Sequence, residues 1–328
     1  MQTMDSNQRQ TILALKQHLN QRIIGQPKLV DRLIIALLCD GHLLVEGAPG
    51  LAKTKAIKEL SLCIEGDYHR IQFTPDLLPA DLTGTEIYRA QEGSFAFQPG
   101  PVFHNVILAD EINRAPAKVQ SALLEAMAER QVTIGRTTYA LPKLFLVMAT
   151  QNPIEQEGTY PLPEAQLDRF LMHVCIDYPA AAAEKSILKL ARQEALDLAE
   201  NKITQTPQVK QSTLFEIRKV LLESIYVSEA IENYIIELIL ATRTPQRYDE
   251  KLKQWLRFGA SPRGTISLDR CARAHAWLNN RDFVTPEDIH AVIYDVLRHR
   301  VLLSYEAEAE GVTPDQFMSE LVNRVAIP

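Results

Sequence analysis

A chain of 328 residues with 46% hydrophobic residues is long enough to bury two cores, which excludes disorder over most of its length. Lys and Arg total 35 against 41 Asp and Glu, a net charge of −6, so the overall charge offers no nucleic-acid or anionic-membrane surface. Cys39, Cys63, Cys175 and Cys271 lie far apart without ligand spacing and read as reduced core thiols; no apolar run reaches the ~18 residues of a membrane span and no leader pattern opens the chain, so a cytoplasmic protein with no membrane insertion is expected.

Up to about residue 178, short apolar runs alternate with amphipathic segments, the pattern of an α/β sheet. Strands are predicted over His42–Glu46, His69–Phe73, Asn105–Asp110, Leu144–Thr150 and Phe170–Ile176. The third and fourth have continuously apolar interiors, as central parallel strands covered on both faces do. Two stretches inside this half read as hairpins: 83–97, with Glu92-Gly93-Ser94 between extended flanks, and 131–139, centred on Gly135-Arg136. Each reads equally as a surface ornament. From Pro179 onward apolar residues recur at helical spacing, as at Ile231, Tyr234, Ile235, Leu238 and Ile239, with helix starters at Ser228, Ser261-Pro262 and Thr285-Pro286. The expected architecture is a doubly wound parallel sheet in an αβα core over 1–180, followed by a smaller all-helical domain over 181–328.

The most informative text is Gly47-Ala48-Pro49-Gly50-Leu51-Ala52-Lys53-Thr54, set between a strand and a helix running through Ile57, Leu60 and Ile64. A triphosphate needs many donors at once. Glycines let such a loop wrap so that successive backbone N–H groups point at phosphate, and the following helix adds its positive end. Lys53 can reach the β- and γ-phosphates of ATP, and the Thr54 hydroxyl can ligate Mg²⁺. The usual pattern has glycine where this chain has Ala52; alanine is acceptable there if the position already adopts the right-handed conformation of the first helical turn.

Asp110-Glu111 then sets two carboxylates at the carboxyl end of an apolar strand, the edge of an open parallel sheet where ligands bind. Asp110 is placed to hold Mg²⁺ through its water shell, and Glu111 to orient and deprotonate an attacking water. Asn152, two residues past another apolar strand, offers a neutral amide at the same edge. Neither a nucleophile triad nor a histidine cluster at ligand spacing is present: His104 and His173 read as structural. Glu306 to Glu310 reads as a solvated acidic face.

The order of these parts resembles an AAA+ ATPase, and within that superfamily the MoxR family. Ile24-Gly25-Gln26, Gly47 to Thr54, Leu108 to Pro116, Ala149 to Pro153, Leu162 to Phe170 and Gly259 to Gly264 carry the resemblance, and Ala52 is similar to MoxR usage. The resemblance implies that Ile23, Ile24 and Gly25 line an adenine pocket, that Asn152 is the sensor-1 residue, that Arg263 is a sensor-2 arginine contacting the γ-phosphate, and that Arg169 is an arginine finger completing a neighbour's site. Read alone, Arg169 beside Asp168 fits a surface ion pair. The resemblance further implies a homo-oligomer, a hexameric ring, acting like a chaperone on client protein complexes together with a von Willebrand factor A domain partner. Three alternatives stay open at this level: a nucleotide-switched scaffold with little turnover, a magnesium-chelatase-like motor, and a DNA-acting helicase relative, the last disfavoured by the acidic total.

Overall fold

A computed structural model describes residues 2–153, 158–200, 202 and 206–328. Among the described residues nine strands precede residue 176: β1 (Leu43–Glu46), β2 (Tyr68–Gln72), β3 (Gly84–Arg89), β4 (Ser94–Pro99), β5 (Val106–Asp110), β6 (Gln131–Ile134), β7 (Thr137–Ala140), β8 (Leu146–Gln151) and β9 (Met172–Cys175). Five of them form one sheet in the order β2-β5-β8-β1-β9, so each central strand is reached by a crossover. The four strands β2, β5, β8 and β1 pair in parallel. Val106 to Ala109 of β5 are almost wholly buried, which is why that strand carries an unbroken apolar run. Helices α1 (Gln2–Arg22), α2 (Pro27–Leu38), α3 (Lys53–Leu62), α4 (Pro79–Thr83) and α5 (Ala117–Glu129) alternate with these strands. In α2 nine residues from Leu29 to Leu38 are buried, so it is a core helix.

Both predicted hairpins form. β3 pairs antiparallel with β4, and β6 with β7. They meet: the Phe97 ring stacks on Tyr139 with centroids 4.0 Å apart and planes 20° apart. Ile87, Tyr88 and Phe95 of the first hairpin remain exposed.

The chain divides into two compact units, one of Met1–Leu162 with Val174–Phe215 and one of Pro163–His173 with Glu216–Pro328. Helix α6 (Glu164–Leu167) thus belongs to the second unit although it precedes β9, while α7 (Ala181–Ala199) belongs to the first. Helix α8 (Gln211–Glu223) bridges the division in sequence. The second unit continues through α9 (Glu229–Arg243), α10 (Glu250–Trp255), α11 (Pro262–Leu278), α12 (Pro286–Leu297), α13 (Tyr305–Ala309) and α14 (Pro314–Val322). It is helical apart from one short antiparallel pair, β10 (Leu256–Phe258) with β11 (Leu302–Leu303). The anticipated helix starters act as caps: Ser228 Oγ accepts from the Ile231 amide, Ser261 Oγ from the Arg263 amide, and Thr285 forms a capping box with Asp288. Leu238, Leu268, Trp277, Val292 and Phe317 fill this unit's core.

Cys39, Cys63 and Cys271 are buried as expected, and burial together with the nearby Glu59 carboxylate pushes the Cys63 thiol up to about 11. Cys175 is exposed, which corrects its assignment to the core: side chains alternate along β9, with Met172 and Val174 buried and Cys175 facing outward. Among the described residues no helix is long and apolar enough to cross a membrane.

In the second unit the carboxylate of Asp288 is fully buried beneath the start of α12. Burial opposes its ionisation, but hydrogen bonds donated by His275 and Arg281 and by the Thr285 amide outweigh that and hold the carboxyl below its usual range. Arg281 reaches it with both Nη atoms at 2.5 Å and the Thr285 amide at 2.9 Å. Because the native value is depressed, this stabilisation is complete above about pH 4 and is lost as pH falls through the native value. Asp288→Ala strands Arg281 and should cost about 3 kcal/mol in denaturant unfolding at neutral pH. A loss of under about 0.5 kcal/mol contradicts this reading.

Candidate functional site

The loop after β1 turns sharply before α3 begins at Lys53. Gly50 has φ +83°, and Ala52 sits at φ +59°, ψ 18°, in the left-handed region at the N-cap. This corrects the expectation that Ala52 adopts the right-handed conformation of the first turn. The backbone changes hand at this residue, as in loops that turn successive amides toward an anion, and a non-glycine residue there carries a strain of about 1–2 kcal/mol. Gly47 is needed for close approach: a Cβ there would lie 2.6 Å from Ile176 Cγ1 and 2.8 Å from the Ile176 carbonyl. Lys53 Nζ donates to the carbonyls of Gly47 at 2.5 Å, Ala48 at 3.3 Å and Gln151 at 3.4 Å. An anionic phosphate would offer the ammonium a charge-assisted partner in place of these carbonyls. Thr54 follows in the first turn of α3.

The parallel register sets the rest of the site. Glu46 lies opposite Gln151, Ala109 opposite Ala149, and Gln72 opposite Asp110, so β1, β8, β5 and β2 all present their carboxyl ends at one edge. The loop from Gly47 and the pair Asp110 and Glu111 therefore leave the sheet at the same edge. Asn152, 6% exposed, follows β8 there.

Asp110 is itself only 8% exposed. Its Oδ1 accepts from Thr150 Oγ1 at 2.6 Å, and its Oδ2 accepts from Arg70 Nε at 3.1 Å and Nη2 at 2.7 Å. A carboxylate offers about four lone-pair positions, so capacity remains for a metal-bound water. Glu111 stands at φ +56°, the turn that swings it off the strand axis. Its amide donates to the same Thr150 hydroxyl at 2.9 Å, and its Oε2 accepts from Gln72 Nε2 at 2.8 Å with Arg114 Nε 3.2 Å away. Arg70 Nη2 also donates to Gln72 Oε1 at 2.8 Å, so one chain of hydrogen bonds runs from Asp110 through Arg70 and Gln72 to Glu111. Thr150, Arg70 and Gln72 were not singled out as site residues in sequence. The usable signal was the matching position of two polar strand ends beside Asp110.

A donor set of Thr54 hydroxyl and Asp110 carboxylate, with an amide arc and Lys53 beside it, suits a magnesium-nucleotide: hard oxygen ligands for the metal, N–H groups and an ammonium for the phosphates.

A cleft beside the loop takes Ile24, Gln26, Pro49 and Gly50 on one side and Tyr178, Pro179, Ile187 and Leu190 on the other, with Arg22, Lys55, Glu184 and Glu194 also in its lining. Of the three residues expected there, Ile24 lines it. Ile23 is 1% exposed and lies in the core beneath, and Gly25, at φ +83°, packs against Pro179, where a Cβ would meet Pro179 Cβ at 2.7 Å. Gln26 Nε2 donates to the Asp177 carbonyl at 2.8 Å, pinning the two walls together. At the rim, Glu194 of α7 pairs with Arg22 at 3.0 Å and Lys55 at 2.7 Å.

Arg169 and Arg263 lie in the second unit. The local pair between Asp168 and Arg169 does not form. Asp168 Oδ1 instead accepts from Arg300 Nε at 2.9 Å, and Oδ2 accepts from Ser261 Oγ at 2.9 Å with Arg263 Nη1 3.8 Å away. The Arg169 side chain has no hydrogen bond or ion pair to a described residue, and Arg263 is 54% exposed at the start of α11.

Residues 42–172 match the family described as "ATPase family associated with various cellular activities (AAA)", and residues 252–321 match the AAA lid domain. The chain is 44% identical to chaperone MoxR1 of Mycobacterium tuberculosis, over 93% of this chain and 79% of that protein. It is 35% identical to protein MoxR of Paracoccus denitrificans, over 90% of each. The crystal structure of a candidate ATPase from Cytophaga hutchinsonii is similar at a TM-score of 0.90 and 46% identity, covering 100% of this chain and 98% of that one.

Thr150 joins the two carboxylate residues through a single hydroxyl. Thr150→Val keeps the shape but strands the Glu111 amide, and should lower unfolding stability by about 1–3 kcal/mol in urea titration. An unchanged midpoint contradicts the role given to that hydroxyl.

Proposed function

Because the chain belongs to the MoxR family of AAA+ ATPases, we propose that its ATP hydrolysis is magnesium-dependent and that it works as a hexameric cytoplasmic ring that remodels, assembles or activates partner proteins. The observation that carries this reading is the shared edge of the sheet, where the Gly47 loop, Asp110, Glu111 and Asn152 emerge in register. The names of the relatives chaperone MoxR1 and protein MoxR support the chaperone-like reading, and client protein complexes with a von Willebrand factor A domain partner are the partners proposed.

In this scheme the amides of Gly47 to Thr54 hold the phosphates and Lys53 transfers its hydrogen bonds from the loop carbonyls to phosphate oxygens. The Thr54 hydroxyl and Asp110 carboxylate hold the metal. When bound, magnesium neutralises charge on the phosphates. Glu111, turned off the strand by its left-handed backbone, orients the attacking water and accepts its proton. Asn152 hydrogen-bonds that water without adding negative charge. Arg263 serves its own protomer's γ-phosphate, and Arg169 serves the neighbour's. A guanidinium supplied in trans is worth about 10³–10⁵ in rate in comparable phosphoryl transfers, so hydrolysis depends on assembly.

A water-positioning carboxylate is superfluous in a scaffold that only binds nucleotide, which favours turnover over that alternative. The test is ATPase activity per protomer against protein concentration: it should rise as the ring assembles and then plateau. Turnover independent of concentration contradicts the trans arginine, and no turnover in assembled protein contradicts the motor. Lys53→Ala should abolish binding of a fluorescent ATP analogue. Glu111→Gln should retain binding while turnover falls by about 10²–10⁴. Tight nucleotide binding by the lysine variant contradicts the assignment of the loop.

A further inference from the structure

Arg300 lies just beyond α12, with its side chain 2% exposed. A guanidinium so far from water is costly unless nearly every donor is used, and here they are. Nε donates to Asp168 Oδ1 at 2.9 Å. Nη2 donates to the Asp168 carbonyl at 3.2 Å, the Phe170 carbonyl at 2.6 Å and Ser267 Oγ at 3.3 Å. Nη1 donates to the Leu171 carbonyl at 3.2 Å and to the Val296 carbonyl. The carbonyls on either side of Arg169, those of Asp168 and Phe170, are therefore tied to one planar fork. The adjacent Arg298 holds the next stretch by donating to the His173 carbonyl at 2.9 Å.

The second effect is electrostatic. Asp168 is the carboxylate next to Arg169 in sequence and the natural partner to quench it. Its two oxygens are taken by Arg300 and by Ser261, the N-cap of the helix that carries Arg263. Arg169 is left without a side-chain partner among the described residues. The same carboxylate is thus the common anchor of the segment bearing Arg169 and the helix end bearing Arg263.

We propose that Arg300, acting through Asp168, is a positioning residue for the arginine that Arg169 lends to the neighbouring protomer. It fixes the backbone on both sides of Arg169 and keeps the adjacent carboxylate from pairing with it. This rests on the reading of Arg169 as a trans-acting arginine.

The test uses mixed oligomers of full-length chains. A donor protomer carrying Lys53→Ala has no working site but offers Arg169; an acceptor carrying Arg169→Ala has a working site but offers no arginine. Each alone should be inactive, and mixing should restore turnover. Adding Arg300→Lys to the donor keeps the charge and removes the fork; restored turnover should fall by about tenfold or more, while the acceptor's affinity for a fluorescent ATP analogue and the sedimentation of the mixture stay unchanged. The same change placed in the acceptor should cost far less, an asymmetry that a general loss of lid stability would not produce. Asp168→Asn, nearly isosteric, provides the same comparison if Arg300→Lys does not fold. Full restoration with the altered donor, or equal losses from either position, overturns the proposal. If Arg169→Ala alone hydrolyses ATP at the unaltered rate, the trans reading fails and this inference falls with it; if Arg169→Ala is inactive and the altered donor is fully competent, only this inference fails.

Discussion

Everything at the site depends on the parallel register of four strands. Side chains alternate along a strand, so a slip of one residue would send Asp110 to the opposite face and bring Ala109 to the edge in its place. The register is held because β5 and β8 are buried along almost their whole length, leaving no polar face on which a slipped pairing could settle. The crossovers that such a sheet requires put a loop after every carboxyl end. One of these loops is the Gly47 arc, and the neighbouring ones carry Glu111 and Asn152. A fold requirement and a chemical requirement are met by the same geometry.

At that edge the acidic pair is held by polar residues of the adjoining strands. Thr150 on β8 serves both Asp110 and Glu111, and β2 contributes Arg70 to Asp110 and Gln72 to Glu111. Neither carboxylate is left to solvent alone, and a movement of β2 would be felt by both. β2 leads through α4 to the β3–β4 hairpin, whose Phe97 stacks on the β6–β7 hairpin. The two inserts are thereby packed to each other rather than projecting independently.

Much of this was legible in the sequence because it is local. The five strands of the sheet, both hairpins, the helix caps and the Gly47 to Thr54 loop each follow from a short window of spacing and composition. What escaped is what a window cannot contain. Ala52 looked compatible with a right-handed turn because propensity favours one; the loop's need for concavity overrides it. Tyr178, Ile187 and Leu190 stand more than a hundred residues from Ile24, and only the folded first unit brings them to one cleft. Helix α7 follows the expected boundary near residue 180 yet belongs to the first unit, while Pro163–His173 precedes it and belongs to the second, held there by Arg298 and Arg300. Linear order gives no sign of either exchange. Asp168 likewise passed over its sequence neighbour for an arginine 132 residues away.

The central claim is that the Gly47 to Thr54 amides enclose a triphosphate whose metal side faces Asp110 and Glu111. A crystal structure with a non-hydrolysable ATP analogue and Mg²⁺ tests it most directly. Lys53 should be withdrawn from the Gly47 and Ala48 carbonyls onto phosphate oxygens, with the metal held between Thr54 and Asp110 and the base in the cleft beside Ile24 and Tyr178. Nucleotide bound elsewhere, or Lys53 still bonded to the loop carbonyls in a saturated crystal, would contradict it.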